Sequence, residues 1–204
     1  MSRISEKMII QFISLRGNYI LVYRGVSLKE MSIVFIGFMG VGKTTIGKAV
    51  AKKLYRDFID IDAEIEKEYG MPTSQIFDKI GEKAFREKEK SVITDLCKKK
   101  MKVISLGGGA FLQEEIKQVC FENCLVIFLD LSWENWKERI SLIIDSRPVL
   151  KGKSLKEIEE LFYKRQEIYA DHHSVVSTDN QDVEEIADYI VESLKLAWEL
   201  HGEK

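Results

Sequence analysis

The sequence predicts a doubly wound, three-layer α/β fold with a five-stranded parallel sheet. From residue 32 onward, short continuous apolar runs alternate with longer amphipathic segments. Continuous apolar runs are typical of strands buried on both faces, which occur in parallel sheets covered by helices. A glycine-rich turn follows the first run, at the strand-to-helix position where such folds bind phosphate. The 204 residues are enough for one core and too few for two domains.

Five apolar runs provide the strands of the predicted sheet, at residues 33–36, 58–59, 103–106, 125–129 and 175–176. Helical periodicity lies between them. It predicts a first helix that ends at residues 50–54, a long charged helix from about 82 to 100, and a last helix from 183 to about 200.

The first thirty residues do not follow this alternation. Residues 9–15 and 19–23 are β-prone, and Arg-Gly-Asn lies between them, which predicts a short N-terminal β-hairpin-like extension. A lone hairpin is marginal in water, so it would need to dock on the core or on a partner. Met31 stands directly before the first core strand, so residues 1–30 are equally well explained as a translated or disordered leader. Residues 31–204 then form the one folded domain.

The overall charge and hydropathy exclude several classes of partner. Lys and Arg number 31 against 33 Asp and Glu, which gives a net charge of -2 and argues against nucleic acid held by bulk electrostatics. No apolar run approaches the roughly 20 residues of a membrane-spanning helix. The apolar residues 8–15 lack the cleavage site of a signal peptide. We expect no nucleic-acid partner and no membrane partner.

The three cysteines are Cys97, Cys120 and Cys124. An odd number of cysteines without a secretory leader indicates reduced thiols and a cytoplasmic protein. Cys120 and Cys124 are four residues apart, which would place them on one helix face like metal ligands. Because no other Cys or His is near in the sequence, buried structural thiols are the favoured interpretation.

The glycine-rich turn, Gly-Phe-Met-Gly-Val-Gly-Lys-Thr at residues 37–44, matches the phosphate-binding loop (P-loop) pattern in full. Glycines let successive backbone N–H groups face an anion, and the helix that follows directs its positive end at the same phosphate oxygens. Lys43 is expected to reach the β- and γ-phosphates, and the Thr44 hydroxyl to bind Mg²⁺. The expected nucleotide-binding residues are Gly40, Val41, Gly42, Lys43, Thr44 and Thr45.

Two further features lie at predicted strand ends. Asp60 and Asp62 follow the second strand, where one carboxylate could hold a metal-bound water and the other a substrate hydroxyl. Alternatively, Asp62 simply caps the next helix. Gly107, Gly108 and Gly109 close the third strand. Their entropic cost makes sense if a substrate lies against bare backbone, although a flexible loop is the alternative.

The order of these motifs resembles the shikimate kinase family, a P-loop kinase family. The phosphate loop is followed by Asp-x-Asp at 60–62, Gly-Glu-x-x-Phe-Arg-x-x-Glu at 81–89, Gly-Gly-Gly at 107–109 and Arg-Pro-x-Leu at 147–150. Residues 164–169 resemble the family's Arg-x-x-x-Tyr helix. The resemblance spans residues 32–196, with every motif in family order.

The resemblance implies ATP-dependent phosphorylation of the 3-hydroxyl of shikimate, with ATP and Mg²⁺, in a protein that we expect to be a monomer. Arg86 and Arg165 would clamp the shikimate carboxylate, and Gly108 and Gly109 would add N–H groups. Asp62 would bind the reacting hydroxyl. The remaining implied roles are Glu89 to hold Arg86, Asp60 to act through the Mg²⁺ shell, Phe77 and Phe85 to wall the ring, Arg139 to lie near adenine and phosphates, and Arg147 to reach the γ-phosphate.

Two segments depart from the family's pattern. A lid is implied at about residues 141–156, and its residues 141–145 are more apolar than usual. The segment at residues 177–181 occupies the family's adenine-side loop but lacks an arginine. The adenine contacts are therefore less well defined than the phosphate contacts.

Three rival functions are weighed against this one. A kinase for gluconate or a nucleoside monophosphate would share the phosphate loop, but not the Asp-x-Asp, Phe-Arg and Gly-Gly-Gly set together. A non-catalytic metabolite sensor would not need Lys43, Asp62 and Arg147. A switch GTPase would carry an Asn-Lys-x-Asp motif after the fourth strand, and the sequence has none there.

Overall fold

The computed structural model describes residues 11–15, 18–22, 27–143, 148–150 and 152–201, with side chains described for 27–140, 149–150 and 152–200. Near the N-terminus, strands β1 (Gln11–Leu15) and β2 (Asn18–Val22) pair antiparallel. Five further strands form a second, parallel sheet: β3 (Ser32–Ile36), β4 (Asp57–Asp60), β5 (Lys102–Ser105), β6 (Cys124–Asp130) and β7 (Ser174–Ser177).

The helices lie between these strands in the sequence. They are α1 (Lys43–Leu54), α2 (Ile61–Tyr69), α3 (Thr73–Cys97), α4 (Glu114–Asn123), α5 (Trp133–Ile143), α6 (Leu155–Tyr169) and α7 (Val183–His201). Gly81 interrupts α3, because its φ of 80° and ψ of 159° are not helical. Short 3₁₀ turns at Ala110–Leu112 and Pro148–Leu150 complete the described part.

The strand order of the parallel sheet is β4-β5-β3-β6-β7. From the central β3, the chain crosses first to the β4 edge and later returns from β5 to β6, on the other side of β3. Since parallel crossovers are right-handed, the two directions place helices on opposite faces of the sheet. The helices α1 and α7 pack together, as do α3 and α4. The topological switch point, where ligands bind in such sheets, therefore lies at the carboxyl end of β3.

The core is continuous through the sheet. All five residues of β3 are buried, and so are the first six of β6. Phe35 and Val126 on these strands have no exposed surface. These continuous apolar strands are what a sheet covered on both faces requires. Among the described residues, no helix is both long and apolar enough to cross a bilayer.

The parallel sheet and its strand positions confirm the fold prediction, with no strand end differing by more than one residue. The long helix differs more, since α3 runs from Thr73 to Cys97 rather than from about residue 82 to 100. The glycine of the Gly-Glu-x-x-Phe-Arg motif is the break in this helix, and the segment after the break matches the predicted one. Residues 73–80 were not predicted to be helical, because the predicted helix began at about residue 82.

The cysteines give one correction. Cys120 lies in α4, whereas Cys124 is the first residue of β6, so the two are not on one helix face. All three thiols are buried and none forms a disulfide, and Sγ of Cys97 lies 3.7 Å from Sγ of Cys120. No group of three or more His, Cys, Asp or Glu side chains in the described part of the chain could hold a metal. The thiols fill the core between α3, α4 and β6.

Candidate active site

A cleft of about 770 Å³ opens at the carboxyl ends of β3, β4 and β5. The phosphate loop follows β3, the two aspartates follow β4, and the triple-glycine segment follows β5. The cleft therefore brings together three motifs that are separated by up to 70 residues in the sequence. Its predicted site residues are Gly40, Gly42, Lys43, Thr44, Thr45, Asp60, Asp62, Gly107 and Gly108.

The phosphate loop joins β3 to α1 through backbone conformations that favour glycine. Gly42 has a φ of 100° and forms the N-cap of α1 without a side chain. The positive end of α1 therefore points into the cleft with unobstructed N–H groups, as an anion site requires. Nζ of Lys43 donates hydrogen bonds to the carbonyl oxygens of Gly37 and Phe38, at 2.7 and 2.9 Å, which holds the ammonium group against the loop.

Thr44 and Asp60 form a pair of hard oxygen donors beside the loop. Oγ1 of Thr44 donates a hydrogen bond to Oδ2 of Asp60 at 2.6 Å. The other carboxylate oxygen of Asp60 accepts a hydrogen bond from the N–H of Ala63 and thereby caps α2. The capping role considered for Asp62 thus belongs to Asp60, because α2 begins at Ile61. Asp62 lies in the first turn of the helix and lines the cleft.

The triple-glycine segment has no side chains because the side chains of Asp62 and Arg86 approach it closely. A Cβ placed on Gly107 would lie 2.6 Å from Oδ1 of Asp62, and one on Gly109 would lie 2.7 Å from Nη2 of Arg86. Both distances are too short for real contacts. A Cβ on Gly108 would make an ordinary contact, 3.5 Å from the backbone nitrogen of Met39. The first and third glycines therefore make room for the predicted substrate-binding side chains.

Arg86 is held on one side by carboxylates of its own helix. Nη1 of Arg86 lies 2.8 Å from Oε2 of the buried Glu89, and Nη2 lies 3.5 Å from the exposed Glu82. Nε2 of Gln113 donates a second hydrogen bond to the same oxygen of Glu89 at 3.0 Å. Burial raises the pKa of Glu89, Arg86 opposes this shift, and the negative charge of Asp62 adds to it. The carboxylate is thus a buried anchor for Arg86.

Arg165, on α6, brings a second guanidinium group to this region. Its Nη1 is buried and has no hydrogen-bond partner among the described residues. Burial lowers the pKa of Arg165, and the positive charge of Arg86 lowers it further, so the two guanidinium groups lie within range of each other's charge. A buried N–H without an acceptor is costly, so this geometry favours an anionic ligand between the two arginines.

Phe77 and Phe85 stack below Arg86. Their ring centroids are 4.4 Å apart, and the Arg86 guanidinium carbon lies 5.6 and 5.5 Å from the two rings. Phe77 is half-buried, whereas Phe85 is almost completely buried. Phe85 is therefore a core residue that packs against Phe77, and Phe77 is the ring that has exposed surface.

A smaller cavity of about 230 Å³ continues on the far side of the phosphate loop. Arg139 of α5 lines it together with Gly40, Val41, Gly42 and Thr45 of the loop. Thr178 and Gln181, from the segment that lacks an arginine, form the other wall. Asp179 faces away and accepts hydrogen bonds from the N–H of Ser132 and from Nδ2 of Asn135. This cavity adjoins the larger cleft, since Gly40, Gly42 and Thr45 line both.

One predicted site residue lies outside the described part of the chain, and three residues near the cleft or the smaller cavity were not predicted. Arg147 lies outside the described residues. Gln113 carried no sequence signal, since it is a single polar residue after the glycines. Thr178 and Gln181 lie in a segment for which the resemblance offered no contacts.

The chain is similar to known proteins over most of its length. Residues 39–195 match the sequence model of the family described as shikimate kinase. A shikimate kinase of Oceanobacillus iheyensis is 60% identical over 174 residues, covering 85% of this chain and 95% of that protein. One of Bacillus subtilis is 59% identical over 179 residues, covering 87% and 96%. The solved structure of shikimate kinase from Acinetobacter baumannii in complex with shikimate has a TM-score of 0.77 at 29% identity, covering 86% of this chain and 97% of that chain.

Proposed function

The chain belongs to the shikimate kinase family, and we propose that it transfers the γ-phosphoryl group of ATP to the 3-hydroxyl of shikimate. The observation that carries this proposal is the pairing of two opposite sites in one cleft. On one side lies a complete phosphate loop. On the other side, Arg86 lies against Gly109, and the Nη1 of Arg165 is buried without a hydrogen-bond partner among the described residues, as expected of a site for a small carboxylate.

The donor side is supported by the loop and α1. Backbone N–H groups of residues 40–45 bind the phosphates at the positive end of the helix, and Lys43 neutralises charge that develops on the transferred group. In the present arrangement the Lys43 ammonium contacts the carbonyls of Gly37 and Phe38, and it would turn from them toward the phosphates. Arg139, which lines the smaller cavity, would contact the nucleotide there.

The acceptor side is supported by the side chains around the triple glycine. Arg86 and Arg165 bind the shikimate carboxylate, each through a planar guanidinium group. Gly108 and Gly109 add N–H groups, and Phe77 contacts the ring. Oδ1 of Asp62 lies next to Gly107 in the cleft that the phosphate loop also lines, where it orients the 3-hydroxyl and accepts its proton. Phosphoryl transfer needs little more than this positioning and charge neutralisation.

Thr44 and Asp60 fit a magnesium ion. Mg²⁺ takes oxygen ligands, usually one or two from the protein, with waters and substrate phosphates completing the shell. The Thr44 hydroxyl and the Asp60 carboxylate lie 2.6 Å apart in the cleft, so one ion could bind the hydroxyl directly and the carboxylate through water. When bound, the ion would neutralise phosphate charge.

We also propose a role for Arg147, an oligomeric state and a cellular location. Arg147 would contact the γ-phosphate, a proposal that rests on the resemblance of residues 147–150 to the family's Arg-Pro-x-Leu motif. The protein would act as a monomer, since one chain supplies both sides of the cleft. Three free thiols are compatible with the cytoplasm.

The test is an assay of ADP release with shikimate, gluconate and a nucleoside monophosphate offered in parallel, in the presence of magnesium. We expect ADP release with shikimate but not with gluconate or the nucleoside monophosphate. A shortened chain that begins at Met31 should release ADP at the same rate. Lys43→Met is the negative control and should lower turnover about 10²–10³-fold. Release with gluconate or the nucleotide instead would reassign the substrate, and shikimate binding without ADP release would indicate a sensor.

A further inference from the structure

Two buried aromatic side chains donate hydrogen bonds to the backbone of the two substrate loops. Nε1 of Trp136 on α5 donates to the carbonyl oxygen of Met39 in the phosphate loop at 2.7 Å. The hydroxyl of Tyr169 at the end of α6 donates to the carbonyl oxygen of Gly108 at 2.6 Å. The helices α5 and α6 directly precede and follow the segment 144–154. Each of them therefore fixes one peptide group of the cleft.

Both donors are rigidly packed. Trp136 has no exposed surface, stacks on Trp133 at 5.4 Å and meets Phe38 edge-on at 5.1 Å. Tyr169 is 1% exposed, and its ring lies 5.6 Å from that of Phe128. Burial raises the pKa of Tyr169, so its hydroxyl stays protonated and remains a donor. Side chains held in this way have little freedom to follow a carbonyl that turns away.

A fixed carbonyl also fixes the next N–H. In a trans peptide the C=O of one residue and the N–H of the next are coplanar and point in opposite directions. No peptide bond of the described chain is cis. Trp136 therefore directs the N–H of Gly40 away from α5, and Tyr169 directs the N–H of Gly109 away from its own hydroxyl. Gly40 lines the phosphate cleft, and Gly109 lies against Arg86.

The two fixed loops also touch. A Cβ on Gly108 would lie 3.5 Å from the backbone nitrogen of Met39, which makes the two peptide segments neighbours. Their separation sets the distance between the donor and the acceptor of a transferred group. A shift of about 1 Å in such a distance can lower a rate by two orders of magnitude.

We propose that Trp136 and Tyr169 are positioning residues, which orient the N–H of Gly40 toward the nucleotide phosphates and the N–H of Gly109 toward the substrate carboxylate. The inference rests on the proposed function for the identity of the second substrate. The proposal assigns Trp136 to the nucleotide and Tyr169 to the second substrate, so substitution of each residue should affect the binding of a different ligand.

The test compares Trp136→Phe and Tyr169→Phe, which keep an aromatic ring and remove the donor. Calorimetric Kd values for ADP and for shikimate are measured separately, since binding does not require turnover. Loss of a buried hydrogen bond is expected to weaken ADP binding roughly tenfold in Trp136→Phe, and shikimate binding by a similar factor in Tyr169→Phe. In each variant the other Kd should stay within about twofold.

The matched controls are Trp198→Phe and Tyr189→Phe on α7, which make the same chemical changes in partly buried residues outside the cleft. They should lower the melting temperature without changing either Kd. Weaker ADP binding in Trp136→Phe alone and weaker shikimate binding in Tyr169→Phe alone would support the proposal. Equal weakening of the binding of both ligands in one variant, or no weakening, would show that the two hydrogen bonds are only structural and would overturn the proposal.

A measurement on the wild-type protein covers the case in which Trp136→Phe does not fold. The indole N–H resonance of Trp136, assigned by comparison with Trp133→Phe and Trp198→Phe, should shift when ADP is added, because its acceptor belongs to the phosphate loop. The resonance of Trp198 should not shift. An unmoved Trp136 resonance at saturating ADP overturns the proposal. If the wild-type protein binds ADP with this shift but does not phosphorylate shikimate, the proposed function fails and the positioning of Gly40 stands.

Discussion

Nη1 of Arg86 donates a hydrogen bond of 2.8 Å to Oε2 of Glu89, a carboxylate that is only 1% exposed while the arginine side chain remains 27% exposed. The guanidinium group is therefore anchored at its buried edge and open at the other. The glycine at position 109 leaves the space that the open edge occupies. In the proposed function, this anchoring would make Arg86 a preorganised receptor for the shikimate carboxylate rather than a mobile surface cation.

Glu89→Gln should weaken the anchor while keeping the shape of the side chain. The hydrogen bond to Arg86 loses its charge, so the guanidinium group is held less firmly. We expect the KM for shikimate to rise about tenfold, with the KM for ATP nearly unchanged, in steady-state kinetics. Glu82→Gln is the control, because Glu82 contacts the same arginine at 3.5 Å from an exposed position, where ion pairs contribute little. Equal effects of the two substitutions would contradict the buried anchor.

Arg165→Met should weaken shikimate binding without destabilising the fold. The substitution removes a buried N–H that has no partner in the described part of the chain, so the unliganded protein should melt at the same or a higher temperature. Loss of a buried charged contact to the substrate should raise the shikimate KM roughly a hundredfold. Shikimate should also no longer raise the melting temperature. Lys164→Met, at the exposed neighbouring position, is the matched control, and an unchanged KM in Arg165→Met would exclude the clamp.

Alanine substitutions within the triple glycine should have unequal effects. Gly107→Ala places a methyl group 2.6 Å from Asp62, whereas Gly108→Ala makes only ordinary contacts. We expect Gly107→Ala to lower kcat about 10²-fold, because displacement of Asp62 by an ångström misaligns the hydroxyl that it orients. Gly108→Ala should keep most of the activity. If both variants lose activity equally, the glycines serve loop flexibility instead of clearance.

His173 should make the protein acid-sensitive. Burial lowers its pKa from 6.5 to about 4, and its Nδ1 accepts a hydrogen bond from the N–H of Val126. Because the folded-state pKa is depressed, the neutral ring stabilises the fold fully above pH 6.5, and this contribution is lost as the pH falls toward 4. Between pH 6.5 and 5 the loss should be roughly 1.5 kcal/mol.

Urea unfolding at several pH values measures this contribution. His173→Asn keeps an acceptor for Val126 but does not titrate, so its free energy of unfolding should fall less steeply with acid than that of the wild type. Parallel pH profiles for the two proteins would show that His173 does not carry the effect.

Local patterns predicted the fold and the phosphate side of the cleft. The eight residues of the phosphate loop act through their own backbone, so their spacing alone indicates the site. The strands were recognisable because their apolar runs are continuous. The local sequence did not show which of Asp60 and Asp62 caps α2, since the capping role depends on whether the helix begins before or after Asp62.

The acceptor side depended on contacts between distant residues. The glycines at 107 and 109 were recognised as unusual, but the reason lies in side chains from α2 and α3 that only the fold brings to them. The motif at 164–169 included Tyr169 without indicating its partner 61 residues away. Trp136 bonds to a residue 97 positions away. Arg147 stays a prediction, because it lies outside the described residues.

The central claim is that one cleft binds ATP on the glycine loop and shikimate against the two arginines, close enough for direct transfer. Analysis of the products by ³¹P and ¹H NMR tests it, with purified protein, ATP, magnesium and shikimate. The account predicts one ADP and one phosphate monoester for each shikimate consumed, with phosphorus coupling at the carbon that carries the 3-hydroxyl. Unmodified shikimate, with ATP either intact or hydrolysed to ADP and free phosphate, would contradict it.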